Sequence, residues 1–267
     1  MSGFRRRLMT KAKEEAVSLD DYLCVEALGG VIFGIEKDPF YDYDIEYMVN
    51  GDGNWINIES DNYNYKLAKG DKAYFRGVLR EIPNGLGIFY FDNSVAIGGN
   101  VMSMVYGDDA KGKTSLEGYP SIFLRMFSGC TTIKSVSQGL LPATELSEGC
   151  YQEMFYGCSN MEGVPDLPAT ALQPSCYLKM FRGCKKITSS PDLPSATLVS
   201  KCYEQMFYGC SVLKSIKAMF LTTPGTSYTN NWVYSVASGG AFHKNKDATW
   251  NVSGNSGVPS NWTVYKV

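Results

Sequence analysis

CYQEMFYGC at residues 150–158 returns as CYLKMFRGC at 176–184 and as CYEQMFYGC at 202–210, and these copies hold six of the chain's eight cysteines. Met154, Met180 and Met206 recur every 26 residues, and Met126 stands 28 before Met154. An earlier copy, IFLRMFSGC at 122–130, has Ile122 where the later ones have cysteine. A degenerate fifth, YTNNWVYSV at 228–236, has Trp232 and Val233 in place of Met-Phe. A fixed period of this kind marks a repeat architecture, in which each unit buries its apolar face on its neighbours.

Placed on a helix at about 100° per residue, Cys150, Tyr151, Met154, Phe155 and Cys158 share an arc of about 140°. The pattern predicts a two-turn amphipathic helix closed by the glycine before the last cysteine. Gln152, Glu153 and Tyr156 fall outside the arc and are expected to face outward, as are Leu178, Lys179 and Arg182, and Glu204, Gln205 and Tyr208, in the next copies. So short a helix does not stand alone. A second shared segment runs between copies, MEGVPDLPATAL at 161–172 and ITSSPDLPSATL at 187–198. It opens on one apolar residue (Ile133, Met161, Ile187 or Leu213) and carries Val136, Val164, Ser190 or Ile216 near its middle. That alternation predicts a short strand, ended by Pro165 and Pro168 or Pro191 and Pro194, which lack a ladder donor. Stacked units of this kind give an α/β solenoid, similar to a leucine-rich repeat, of about five short strand-turn-helix coils.

The cysteines admit three readings. Zinc favours close pairs, whereas these stand as C-x7-C with no histidine nearby; the chain's one histidine is His243. Two cysteines eight apart on a helix are separated by about 12 Å, beyond the roughly 4.4–6.8 Å of a disulfide, which leaves bridges between adjacent coils open. The first cysteine column ends on Ile122 and Tyr228 and the second on Val236. Those residues fill an apolar slot but bind no soft metal, so the thiols are read as small buried hydrophobes. The expected core is Met126, Cys130, Cys150, Met154, Phe155, Cys158, Cys176, Met180, Phe181, Cys184, Cys202, Met206, Phe207 and Cys210.

Upstream of the repeat, residues 1–20 read as a charged arm carrying Arg5, Arg6 and Arg7. From Tyr22 to Tyr90 short β-like runs alternate with Gly, Asn and Asp, and NGDGN at 50–54 marks a hairpin. Residues 21–94 are therefore expected to form a small antiparallel β-sandwich, which makes the class α+β, with the solenoid over 95–240 and a C-terminal cap over 241–267. Residues 36–61 hold eight carboxylates against one lysine. Asp42, Asp44 and Asp52 are candidate calcium ligands, but their spacing matches no calcium loop and a solvated acidic face is the preferred reading.

The MF-x-GC unit preceded by Cys-Tyr and followed by the PDLPAT-type segment resembles the BspA-like leucine-rich repeats of bacterial surface proteins, common in gut Bacteroides and also found in their phages. GNVMSMVYGDD at 99–109 resembles the segment that enters such arrays, residues 238–264 the one that closes them, and NGDGNW with KGDKAYFRG the small β-domain that precedes them. The resemblance implies surface recognition or adhesion and no enzyme.

A net charge of -2 gives little drive toward phosphate backbones, so no nucleic acid is expected. No window reaches the roughly 20 apolar residues of a membrane span, so no membrane insertion is expected. The basic N-terminus lacks the apolar stretch of a secretory signal, which leaves cell surface and virion as alternative locations. GDDAKGKTS at 107–115 lacks the first glycine of a P-loop. No cofactor or metal is expected.

The first functional reading is a non-enzymatic binding module for a protein or glycan. Its candidate rows are Tyr156, Arg182 and Tyr208 on the helix side and Lys134, Glu162, Thr188 and Lys214 on the strand side. The second is a structural part of a larger assembly, with self or virion partners. A third, a carbohydrate hydrolase using Asp166 and Asp192 from equivalent positions, is the weakest.

Overall fold

The computed structural model describes residues 18–36, 44–58, 64–77 and 89–267. Residues 1–17 of the expected arm, and Asp42, lie outside them. Strands β1 (Leu23–Ala27), β2 (Val31–Ile35), β3 (Ile45–Val49), β4 (Ile56–Asn57), β5 (Tyr65–Leu67), β6 (Lys72–Gly77), β7 (Phe89–Phe91) and β8 (Val95–Gly99) form the N-terminal part. In β1, Leu23, Val25 and Ala27 are buried while Cys24 and Glu26 are half-buried, the alternation expected of a strand with one face on a core. One sheet runs β5-β2-β7. The other runs β4-β3-β6-β1-β8 and then takes in β9 (Ile133–Val136). Phe33 of β2 lies 5.4 Å from Tyr47 of β3 and 5.6 Å from Phe75 of β6, both edge to face, so the sheets pack through interlocking rings.

The join to the repeat is continuous. β8 pairs antiparallel with β1 and parallel with β9, the first strand of the repeat. The Phe89 N–H donates to the Met126 carbonyl, and the Cys130 thiol donates to the Phe89 carbonyl. The sandwich therefore supplies the rung on which the first coil stacks. At the end of β8 the chain turns into α1 (Ser103–Tyr106) through Gly99, whose φ is 70°. A Cβ there would lie 1.8 Å from the Tyr22 carbonyl oxygen, so only glycine fits.

The repeat itself corrects the sequence reading. No helix forms over 122–130, 150–158, 176–184 or 202–210; among the described residues α1 is the only α-helix, and the repeat is a β-solenoid of turns and short strands. The α+β class, the leucine-rich-repeat-like α/β solenoid and the strand-turn-helix coil are all overturned: the described chain is mostly β. The hydrogen bonds give the reason. In 150–158 the even-numbered residues close turns within their own coil, as in Met154 N–H to Tyr151 O (3.3 Å) and Cys158 N–H to Phe155 O (3.2 Å). The odd-numbered ones reach the next coil: Tyr151 to Cys176 O, Glu153 to Leu178 O, Phe155 to Met180 O and Gly157 to Arg182 O, at 2.8–3.1 Å. The same alternation joins 123–129 to the second copy, 177–183 to the fourth, and 203–209 to the fifth.

This scheme needs a left-handed residue at every fourth position. Gly149, Glu153 and Gly157 have φ of 62°, 55° and 73°; Ser175, Lys179 and Gly183 repeat the pattern, as do Lys201, Gln205 and Gly209. Each is the third residue of a turn, where a positive φ reverses the chain. An L residue in that conformation costs roughly 1–2 kcal/mol. Burial outweighs the cost: Cys150, Tyr151, Met154, Phe155, Cys158 and Met161 are all at most 1% exposed, and large apolar side chains gain about 1.5–3 kcal/mol each.

The buried side chains stack in columns. Phe127, Phe155, Phe181 and Phe207 lie 5.6, 5.8 and 5.9 Å apart, near parallel, and Trp232 ends the row at 6.1 Å. Phe123, Tyr151, Tyr177 and Tyr203 form a second row. The remaining strands are β10 (Ser189–Leu193), β11 (Ser215–Ala218), β12 (Ala241–Lys244) and β13 (Thr263–Lys266), paired in parallel in that order. Pro191 sits inside β10 instead of ending it, and the ladder absorbs its missing donor by a register shift between Ser189 and Asp192.

All fourteen residues of the expected core are buried, and every cysteine is free. The second cysteine of each copy donates its thiol to the carbonyl of the phenylalanine in the coil before, Cys158 to Phe127, Cys184 to Phe155 and Cys210 to Phe181, each at 3.1 Å. Burial pushes the Cys130 and Cys150 thiols up to about 12 and the Cys202 thiol to about 11. Such thiols are poor nucleophiles. A thiol reagent at pH 8 is expected to leave all seven repeat cysteines unmodified in the folded chain and to modify them on unfolding; fast native labelling of any of them contradicts this packing.

Candidate binding surface

In each coil the residue before the glycine of the last turn projects from the ribbon. This column holds Tyr156, Arg182, Tyr208 and, one period further, Tyr234. Tyr156 and Tyr234 are exposed, and Arg182 and Tyr208 are half-buried. The Arg182 guanidinium lies 4.3 Å from the Tyr208 ring centroid and 5.7 Å from that of Tyr156, so the cation bridges two aromatic faces. It also donates to the Gln205 amide oxygen. Tyr208 and Tyr234 stack at 4.7 Å. Four side chains thus form one continuous ladder. Beside it Gly157, Gly183 and Gly209 floor a shallow groove that also takes in Ser159 and Lys185. A Cβ at Gly183 would meet nothing closer than 3.6 Å, so these glycines answer the positive φ and leave the floor bare. Tyr234 was missed by the sequence reading, although adding the 26-residue period to Tyr208 lands on it.

The second row is held by backbone. Glu162 N–H donates to Lys134 O at 3.0 Å and Lys214 N–H to Thr188 O at 2.8 Å, which sets one side chain per coil along the edge. Glu162, Thr188 and Lys214 are exposed and Lys134 is half-buried. Glu162 pairs with Lys186 at 3.7 Å, a surface pair of little energetic weight. Among the described residues no hydrogen bond or ion pair joins this row to the tyrosine ladder.

Asp166 and Asp192 line one depression with Glu162, Gln138 and Ser190. The Asp192 carboxylate lies 2.5 Å from the Lys217 ammonium. Upstream, Asp52 caps its own turn through the Asn54 N–H at 2.9 Å, and Asp44 is exposed. Among the described residues no three His, Cys, Asp or Glu side chains gather in a metal-holding group.

One expected surface residue is placed inside. Glu153, read as outward-facing, is 4% exposed. Its left-handed backbone turns the side chain along the stack, where Arg125 of the preceding coil (2.5 Å) and Lys179 of the following one (3.0 Å) grip its two oxygens. Aligning the copies does show the charge order plus, minus, plus at 125, 153 and 179. The helical wheel hid it by assigning the position to solvent. Burial pushes the Glu153 carboxyl up, but hydrogen bonds and charge from Arg125 and Lys179 outweigh that and hold it below the usual glutamate range.

Comparison with protein-family models, with curated proteins and with solved structures finds no match.

Because the Glu153 carboxyl is depressed in the folded chain, its contribution is fully present above the unfolded glutamate value of about 4.3 and is lost as pH falls through the lower folded value. Urea midpoints measured from pH 7 to pH 3 are expected to fall less steeply in E153Q, which starts less stable at pH 7. Parallel pH curves for the two chains would contradict the buried triad.

Proposed function

We propose that this chain is a non-enzymatic binding module whose solenoid presents the ladder Tyr156-Arg182-Tyr208-Tyr234 to a protein or glycan ligand. The observation that carries the reading is the guanidinium held between two tyrosine rings beside a bare glycine floor. Tyr and Arg are enriched in binding hot spots: Tyr brings large contact area with two rotors, Arg brings a planar fork of donors on a flexible stem, and here stacking on Tyr208 and Tyr156 fixes that stem before a ligand arrives. The buried frame repeats almost unchanged while this column varies among Ser128, Tyr156, Arg182, Tyr208 and Tyr234, as suits a scaffold that carries a surface. The likeness of the repeat residues to BspA-like surface proteins of bacteria and phages points the same way.

A second reading, as a part of a self or virion assembly, is favoured by β13. All four of its residues are exposed, as is Val267 beyond it, and among the described residues it pairs on one side alone, with β12. An exposed strand edge is a template for another chain.

Purified protein screened against mucins, matrix proteins and a glycan array is expected to bind a protein or glycan, and Y156A and Y208A each to weaken that binding at least roughly tenfold with the unfolding midpoint little changed. Absence of binding at high micromolar concentration, together with a concentration-dependent oligomer in light scattering, would replace this reading with the assembly one.

A further inference from the structure

The end of the solenoid holds a second charged feature, away from the tyrosine ladder. Lys244 of β12 stands in register with Lys266 of β13, so both side chains leave the same face of the sheet. Lys244 is 7% exposed. Its ammonium donates to the Trp250 carbonyl at 2.6 Å and lies 4.4 Å from the Trp250 ring centroid. Among the described residues no carboxylate forms an ion pair with Lys244, Lys246 or Lys266. Yet all three line one depression with Thr249 and Trp250, and Asp247 is its one acid.

A buried ammonium is costly unless paired, and an ammonium has three protons to donate, of which one goes to the Trp250 carbonyl. Burial and then the charge of Lys266 push Lys244 below the usual lysine range, as befits positive charge gathered without a counter-charge. Three ammonium groups against one carboxylate leave two positive charges over the depression, in a chain whose net charge is -2. A doubly charged tetrahedral anion matches that excess in sign and size. Its oxygens fan out toward several donors at once, which a planar carboxylate does less well.

We propose that this depression is a binding site for a tetrahedral oxyanion, sulfate or a phosphate group, held by Lys244 on the floor and by Lys246 and Lys266 at the rim. The partner is either the free ion or a phosphate monoester, which keeps close to two negative charges, carried on a larger molecule such as a phosphorylated sugar.

The test is thermal unfolding of the full chain in sodium sulfate, sodium phosphate, sodium acetate and sodium chloride at matched ionic strength, with N-acetylglucosamine 6-phosphate as a further arm. Anything that binds the folded state raises the midpoint by mass action. Sulfate and phosphate are expected to raise it with saturation, beyond acetate and chloride. K246A and K266A, both at exposed positions, are each expected to weaken the sulfate response roughly tenfold in concentration. K244M tests the floor, and if it fails to fold the two rim variants still decide. A tighter response to the sugar phosphate than to free phosphate assigns the group to a larger phosphorylated molecule; an equal one assigns it to the free anion. Equal midpoints in all the salts, or rim variants that respond as the parent chain does, overturn the proposal.

Discussion

Alternate peptide N–H groups of the repeat go to two places, and that division governs the rest of the molecule. One set closes turns inside the coil, and the other crosses to the coil that follows. Each coil therefore lacks the donors to complete its own ribbon and depends on a neighbour for its shape. The dependence explains why the N-terminal sandwich runs into the solenoid through β8 and β9 and why Phe89 sits against the first coil: that coil needs a preformed rung. At the other end the side chain of Trp232 closes two aromatic columns at once and donates its indole N–H to the Gly257 carbonyl at 2.8 Å. Stability in such a stack is a sum of nearest-neighbour terms, so the ends are where it is most easily lost.

Much of this was legible in the sequence. The 26-residue register and the identity of the buried columns follow from spacing alone. Backbone conformation did not follow, because a helix and a four-residue turn period hide the same side chains over so short a stretch. Eight steps at about 100° per residue end only about 80° from the start, while a four-residue period returns to it. Cys150, Tyr151, Met154, Phe155 and Cys158 satisfy both. What separates the two is the left-handed position every four residues, and only part of it is written as glycine. Gly149 and Gly157 flank Glu153, whereas Ser175, Lys179, Lys201 and Gln205 take the same conformation with ordinary side chains. Propensity cannot flag a lysine that tertiary stacking has forced to a positive φ.

The same error displaced one candidate surface residue and left others in place. On the wheel, Glu153 and Tyr156 both fall outside the apolar arc. In the ribbon they part: Glu153 turns along the stack into the Arg125–Lys179 clamp, while Tyr156 projects from the rim. The tyrosine ladder came through because a stacked repeat places equivalent residues side by side whatever the coil's backbone does. Spacing by one coil, near the 5.6–6.0 Å of the internal aromatic columns, lets Arg182 bridge Tyr156 and Tyr208. The proposed binding role rests on a column that lies outside the packed core.

The sharpest measurement compares K179G with K179A. Both remove the ion pair to Glu153, so their difference in urea-unfolding free energy isolates the backbone at one position. At a left-handed residue glycine is free of the penalty that alanine carries, and K179G is expected to be the more stable by about 1–2 kcal/mol. In a helix the order reverses, with alanine ahead by about 1 kcal/mol, and that result would contradict the turn ribbon.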